Sequence, residues 1–173
     1  MFDQTTLKQS AENFNGKLIQ PGNADYDEAR AVWNGMIDRK PAAIVQCADV
    51  DDVVKAVNFA RENDLLISIK GGGHSVAGRS VCDDGLMIDF SRMKDVRVDP
   101  KAKTAAVEPG ATLADLDAAT QKHGLATTGG LVSETGVAGL TLGGGMGYLA
   151  RKYGLTVDNL ISADVVTADG KLI

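Results

Sequence analysis

The chain is poor in aromatic side chains, in histidine and in cysteine, and each shortage closes off a class of explanation. Aromatics make up 5% of its 173 residues. That is too little for a large aromatic core, so tight turns and close backbone packing must supply more of the fold. The two cysteines, Cys47 and Cys82, stand outside any CxxC pair. This argues against a zinc site, and no metal is expected. Reduced thiols are the expectation for both. Positive charge is also short: 18 Lys and Arg against 23 Asp and Glu leave a formal net charge of −5 and a pI of about 5.0. An acidic chain is a poor general binder of nucleic acid or of an anionic membrane, so neither is expected as a partner. The first residues, Met1 to Lys8, lack the basic start and apolar core of a signal peptide. No apolar run approaches the ~20 residues of a membrane span. A soluble cytoplasmic protein is expected.

What the chain has in abundance is glycine, 20 residues. The first cluster is Lys70-Gly71-Gly72-Gly73-His74-Ser75-Val76-Ala77-Gly78-Arg79-Ser80, directly after the apolar run Leu65 to Ile69. Glycines in a row let backbone N–H groups approach a ligand, because no Cβ stands in the way. After a strand, such a run can form a concave nest of donors suited to phosphate. The second cluster starts at Gly136-Val137-Ala138-Gly139 and continues through Gly143-Gly144-Gly145-Met146-Gly147. Paired loops suggest two strips of backbone gripping one extended ligand. In an acidic protein, local N–H groups would have to hold its phosphates.

Between these clusters the chain alternates recognisable elements. Residues 1–23 read as polar and irregular, and Asp25 to Asn34 as a short helix in which Trp33 serves as a packing anchor. Pro41 opens a strand to Cys47. Asp49 caps a helix whose apolar face is Val50, Val53, Val54 and Val57, and Leu65 to Ile69 is the next strand. This βαβ unit predicts two parallel strands, and places the first glycine loop where ligands bind in open α/β sheets. Leu86 to Phe90 is a further strand. Val96 to Val98 and Thr104 to Val107 form a hairpin about Asp99-Pro100-Lys101-Ala102. Thr112 and Asp115 start a helix that runs to His123 and stops at Gly124. The expected organisation is therefore α+β: a lead-in over residues 1–36, a parallel half over 37–92, and a mainly antiparallel half over 93–173. The strand after the Asp169-Gly170 turn reaches only Leu172-Ile173, as if the chain were a fragment with its second half truncated.

Three phosphate-loop patterns compete. Gly73 to Ser80 nearly spells a P-loop with Arg79 in place of lysine. A P-loop must run into a helix, whereas Val81-Cys82-Asp83-Asp84-Gly85 reads as a turn. Gly145-Met146-Gly147-Tyr148-Leu149-Ala150 matches the looser dinucleotide fingerprint, with Asp164 at about the right distance, but Leu140-Thr141-Leu142 is a poor first strand for it.

The third pattern is a resemblance. The Lys70 to Gly78 stretch, followed in order by Gly136 to Gly139, Gly143 to Tyr148 and Arg151-Lys152-Tyr153-Gly154-Leu155-Thr156-Val157-Asp158-Asn159-Leu160, resembles the FAD-linked oxidases of the p-cresol methylhydroxylase and vanillyl-alcohol oxidase type. The berberine-bridge-enzyme-like and hydroxynicotine-oxidase branch is the most similar. The resemblance implies an FAD-binding domain of two α+β subdomains with FAD between them. It implies cofactor contacts at Lys70, Gly71, Gly72, Gly73, His74, Ser75, Gly78, Ser80, Thr135, Gly136, Gly139, Gly143, Gly144, Gly145, Gly147, Asn159 and Val165. His74 takes the place of the histidine bonded covalently to the flavin 8α-methyl carbon. A neutral imidazole nitrogen is a competent nucleophile for such a bond. Where some members add a cysteinyl link, this chain has Ser133, which cannot form a thioether. The implied activity is that of a flavin-dependent oxidase, passing a hydride from a small alcohol, sugar or amine to FAD and thence to dioxygen. The substrate domain, with the catalytic side chains, is absent from these residues. The rival expectation is a non-catalytic flavin-binding or regulatory domain.

Overall fold

The computed structural model describes residues 14–173. The polar start over residues 1–13 lies outside the described residues. The chain divides into two compact units. One comprises the chain up to Lys70, with Ser75–Arg92 and Asp164–Ile173; the other comprises Gly71–His74 and Met93–Ala163.

The first unit is built on β1 (Lys17–Ile19), α1 (Tyr26–Arg30), β2 (Ala43–Gln46), α2 (Val50–Glu62), β3 (Ile67–Lys70) and β4 (Leu86–Asp89). Its sheet runs β1-β2-β4-β3. β2 and β3 each pair parallel with β4, and β1 pairs antiparallel with β2. The two strands of the expected βαβ unit are thus parallel but not neighbours, because β4 lies between them. All four residues of β4 are buried, as a strand flanked on both edges requires. Asp49 caps α2 by accepting from Asp52 N at 3.0 Å, and Val53, Ala56, Val57 and Ala60 supply its buried stripe. A second core cluster joins Ile19, Tyr26, Ala29, Ile44, Val81 and Met87.

Two local expectations fail here. The irregular start hides β1, which forms because Ile19 is fully buried in the core; three residues are too few to show a period in sequence. The helix from Asp25 ends at Arg30, where Ala31 turns extended with ψ 140°. That turn leaves Trp33 57% exposed, and Val32 and Ile37 take the packing role instead.

The second unit holds the hairpin β5 (Val96–Asp99) and β6 (Thr104–Val107), then α3 (Leu113–Gln121), α4 (Val137–Leu142), α5 (Ala150–Tyr153) and a 3-10 turn, Val157–Asn159. A capping box starts α3: the Thr112 hydroxyl accepts from Asp115 N, and the Asp115 carboxylate accepts from Thr112 N. That second bond, with one from the Thr112 hydroxyl, holds the Asp115 carboxyl below its usual range. Leu113, Leu116 and Val137 form the core, with Val96, Val107 and Leu140 packed against them. The start of the second glycine cluster is helical, as α4. The expected terminal hairpin is the bridge Val166 to Leu172, and it belongs to the first unit. Among the described residues no helix is long and apolar enough to cross a membrane.

Asp52, fully buried in α2, ties the start of the described chain to that helix. Its carboxylate accepts from Asn15 N, Gly16 N and Ala48 N at 2.8 to 2.9 Å. Hydrogen bonds to a charged acceptor are worth about 1.5–3 kcal/mol each, and buried donors left unpaired are costly. Asp52→Ala is expected to lower unfolding free energy by about 3 kcal/mol or more in urea titrations. A loss under about 1 kcal/mol would show that other acceptors take up these donors.

Candidate cofactor site

The first loop leaves the sheet at Lys70, the last residue of β3. Its ammonium donates to Ala29 O at 2.7 Å, and it lines a cavity in the first unit with Asp25, Glu28, Gln46, Asp89 and Ser91. Lys70 therefore serves the lead-in helix. The next three amides behave differently. Among the described residues, Gly71, Gly72 and Gly73 donate no backbone hydrogen bond. Gly73 takes φ +69°, which any side chain would strain. His74 follows, half-buried. The loop then closes on itself: Ser75 O accepts from Gly78 N, and Ser75 Oγ accepts from Arg79 N, each at 3.0 Å. Ser80 is buried at 7% exposure, and its hydroxyl has no hydrogen-bond partner among the described residues.

The second cluster is laced to the start of α3. Leu113 N donates to Thr135 O, Ala114 N to Ser133 O, and Val137 N to Ala111 O, all at 2.9 Å. Gly136 bridges Thr112 and is the N-cap of α4, with no side-chain cap bond. It also meets the first loop. A Cβ on Gly72 would lie 2.5 Å from Gly136 N, and a Cβ on Gly136 would lie 2.5 Å from Gly72 N. Nearby, a Cβ on Gly71 would lie 2.8 Å from Pro109 O. The two glycine loops therefore touch backbone to backbone, inside the second unit.

The remaining expected residues fall into distinct roles. Gly143 N donates to Gly139 O and Leu140 O, and Gly144 N to Thr141 O, so these amides cap the end of α4. Thr135 N is committed to Val132 O. Gly145 O accepts from Thr156 N and Oγ, and a Cβ on Gly147 would stand 1.8 Å from Gly129 O. Asn159 Nδ2 lies within bonding distance of Thr128 Oγ, Tyr153 O and Leu155 O. In the first unit, Val165 N donates to Ile173 O. Gly139 alone sits in open space, exposed, with nothing within 4 Å of its Cβ position. Among the expected glycines, the donors left uncommitted by backbone are those of Gly71, Gly72, Gly73, Gly136, Gly139, Gly145 and Gly147; the Ser75 and Ser80 amides are likewise unpaired by backbone. Pro109, a wall of the first loop, was missed in sequence; the Pro109-Gly110 turn signal could have found it.

These residues fit a phosphate-bearing cofactor. The chemistry of the donor set is neutral N–H groups, unpaired by carbonyls. Neither cysteine suits a flavin link: burial first, and then the Asp52, Asp89 and Asp49 charges, push the Cys47 thiol up to about 12, and Cys82 is also buried. Ser133 is exposed and carries no thiol. Among the described residues no group of three His, Cys, Asp or Glu is placed to hold a metal ion.

The glycine contacts separate fold from ligand. Gly136→Ala must push backbone against backbone, and is expected to destabilise the domain by about 1–3 kcal/mol or more, the scale of overpacking. Gly139→Ala, in a helix with open space, should leave stability unchanged or raise it by up to about 1 kcal/mol. Thermal melts of both variants check this; equal destabilisation by the two would refute the difference in environment.

A profile of the family described as "FAD binding domain" matches residues 41–173. The chain is 42% identical over 167 residues to an FAD-linked oxidoreductase of Dictyostelium discoideum, covering 96% of this chain and 36% of that protein. It superposes on the crystal structure of 6-hydroxy-D-nicotine oxidase from Arthrobacter nicotinovorans with TM-score 0.91 at 35% identity, covering 92% of this chain and 35% of that one. A chitooligosaccharide oxidase structure gives TM-score 0.89 at 32% identity over 96% of this chain and 36% of that one. The chain thus spans about a third of the length of the proteins it matches. It belongs to the FAD-binding-domain family of the FAD-linked oxidoreductases.

Proposed function

We propose that this chain is the cofactor-binding part of a flavin-dependent oxidase. FAD supplies the redox chemistry: it accepts a hydride equivalent from a small alcohol, sugar or amine, and dioxygen takes the electrons on to give hydrogen peroxide. The relatives named for oxidation of a hydroxynicotine and of chitooligosaccharide support that substrate range. What this chain does is bind and orient. The observation that carries the reading is the run of uncommitted amides at Gly71, Gly72 and Gly73, directly before His74 and against Gly136. In a protein of formal net charge −5, such local donors are the means of holding a pyrophosphate. The donors proposed for it are Gly71, Gly72, Gly73, Gly136 and Gly139. Gly143 and Gly144 serve the site through the shape of the α4 terminus, since their amides are already bonded.

His74 is the proposed covalent anchor. An N–C bond from its imidazole would replace the imidazole N–H and one C–H bond of the flavin 8α-methyl. The two protons and two electrons so released would go to dioxygen, giving hydrogen peroxide. The anchor prevents cofactor loss, and an electron-withdrawing 8α substituent makes hydride acceptance easier. No second link is proposed, given Ser133 and the two buried cysteines.

The test is acid precipitation of the full-length protein, followed by mass analysis of the His74 peptide. A flavin adduct on that peptide is expected, and its loss in His74→Ala, with any remaining flavin released into the supernatant. An unmodified His74 peptide beside free FAD would refute the covalent link and leave reversible FAD binding standing.

A further inference from the structure

We propose that Asn34 is a deamidation site: the Asn34-Gly35 pair cyclises and hydrolyses in the folded protein, and the change releases a tie on the first glycine loop. The inference is independent of the FAD reading. The sequence holds the same dipeptide twice, as Asn15-Gly16 and Asn34-Gly35. In each, the glycine nitrogen can reach the asparagine side chain because no Cβ crowds the approach. The step needs only water. The Gly35 nitrogen bonds to Asn34 Cγ, the Cγ–Nδ2 bond breaks, and ammonia leaves with the proton of the Gly35 amide. Water then opens the five-membered ring at either carbonyl, giving aspartate or isoaspartate. The net change is one amide exchanged for one carboxylate.

The fold separates the two pairs. At the first, Gly16 N donates to Asp52 Oδ2, Asn15 N to Asp52 Oδ1 and Asn15 Nδ2 to Asp49 Oδ2, each at 2.8 Å. The attacking form is the deprotonated nitrogen, and like charge disfavours it beside the buried Asp52 carboxylate. A Cβ on Gly16 would lie 2.0 Å from Gln46 O, so this backbone has no room to turn into a ring. At the second pair, Gly35 is exposed, and nothing lies within 4 Å of its Cβ position. Among the described residues its amide donates no backbone hydrogen bond. Asn34 Oδ1 accepts from Met36 N at 3.1 Å. That bond polarises Cγ and stabilises the charge that builds on the oxygen as the nitrogen attacks.

The leaving group is also the tie. Asn34 Nδ2 donates to Val76 O at 2.8 Å. A carboxylate there has no proton to donate and faces the carbonyl acceptor to acceptor. The loop does not detach as a whole, because Arg39 Nη1 still donates to Gly78 O at 2.9 Å and to Val81 O at 3.0 Å. The loosening falls on the turn around Val76, closed by Gly78 N donating to Ser75 O at 3.0 Å. That amide should open more often once Asn34 has lost its side-chain nitrogen.

The test is to age the full-length protein in mildly alkaline buffer and to map its peptides by mass, scoring aspartate and isoaspartate. The Asn34 peptide is expected to convert several-fold faster than the Asn15 peptide. In urea the two should convert at similar rates, since the fold makes the difference. Gly35→Ala, whose Cβ meets nothing, should slow conversion at Asn34 several-fold. Equal rates at Asn15 and Asn34 in the folded protein, a rate difference that persists in urea, or an Asn34 rate unchanged by Gly35→Ala would each overturn the site. Hydrogen exchange reads the consequence: in Asn34→Asp the Gly78 amide should exchange several-fold faster than in the parent. Unchanged exchange there would overturn the release of the loop.

Discussion

Two backbone segments distant in sequence meet at Gly72 and Gly136, where neither can carry a side chain. Each amide nitrogen stands where the other's Cβ would be. The approach is made without a backbone hydrogen bond between them. That combination has two consequences. The segments are locked at a separation that only glycine permits. Their donors are also left for something else, because neither amide donates to a backbone carbonyl. Gly136 is in turn fixed by its bridge to Thr112 at the capped start of α3. The position of the first loop thus depends on a helix cap and a small core of Leu113, Leu116 and Val137.

Glycine serves three different physical ends in this chain, although its clusters look alike in sequence. At Gly72, Gly136 and Gly147 it allows backbone contact. At Gly143 and Gly144 its amides close the end of α4. At Gly139 it leaves open space. A glycine-rich run is therefore not uniformly a cradle, and which amides remain uncommitted decides where an anion can be held.

Much of the fold was legible because its signals are local. The Asp49 cap, the Thr112 and Asp115 box and the hairpin about Asp99 each depend on residues a few positions apart, and each forms where its pattern lies; of the expected valine stripe of α2, Val53 and Val57 are buried, while Val50 is exposed and Ala56 and Ala60 complete the buried face. What the sequence did not show is set by contacts between distant segments. β4 inserts between β2 and β3, β1 joins the edge through one buried isoleucine, and Trp33 turns outward while Ile37 turns in. The same divide runs through the site. Both glycine loops and His74 stand out by composition. The commitment of Gly143 and Gly144 to a helix end, the role of Lys70 toward Ala29, and the hold of Arg39 on Gly78 and Val81 follow from packing alone.

The central claim is that FAD is held by amides which the fold leaves unpaired. Hydrogen exchange resolved to single amides, on the full-length protein with and without FAD, addresses it directly. The account predicts slowed exchange on FAD binding at Gly71, Gly72, Gly73, Gly136 and Gly139. It predicts little change at Gly143 and Gly144, which are already bonded. Protection confined to other segments, with Gly71, Gly72 and Gly73 exchanging as fast as before, would contradict it.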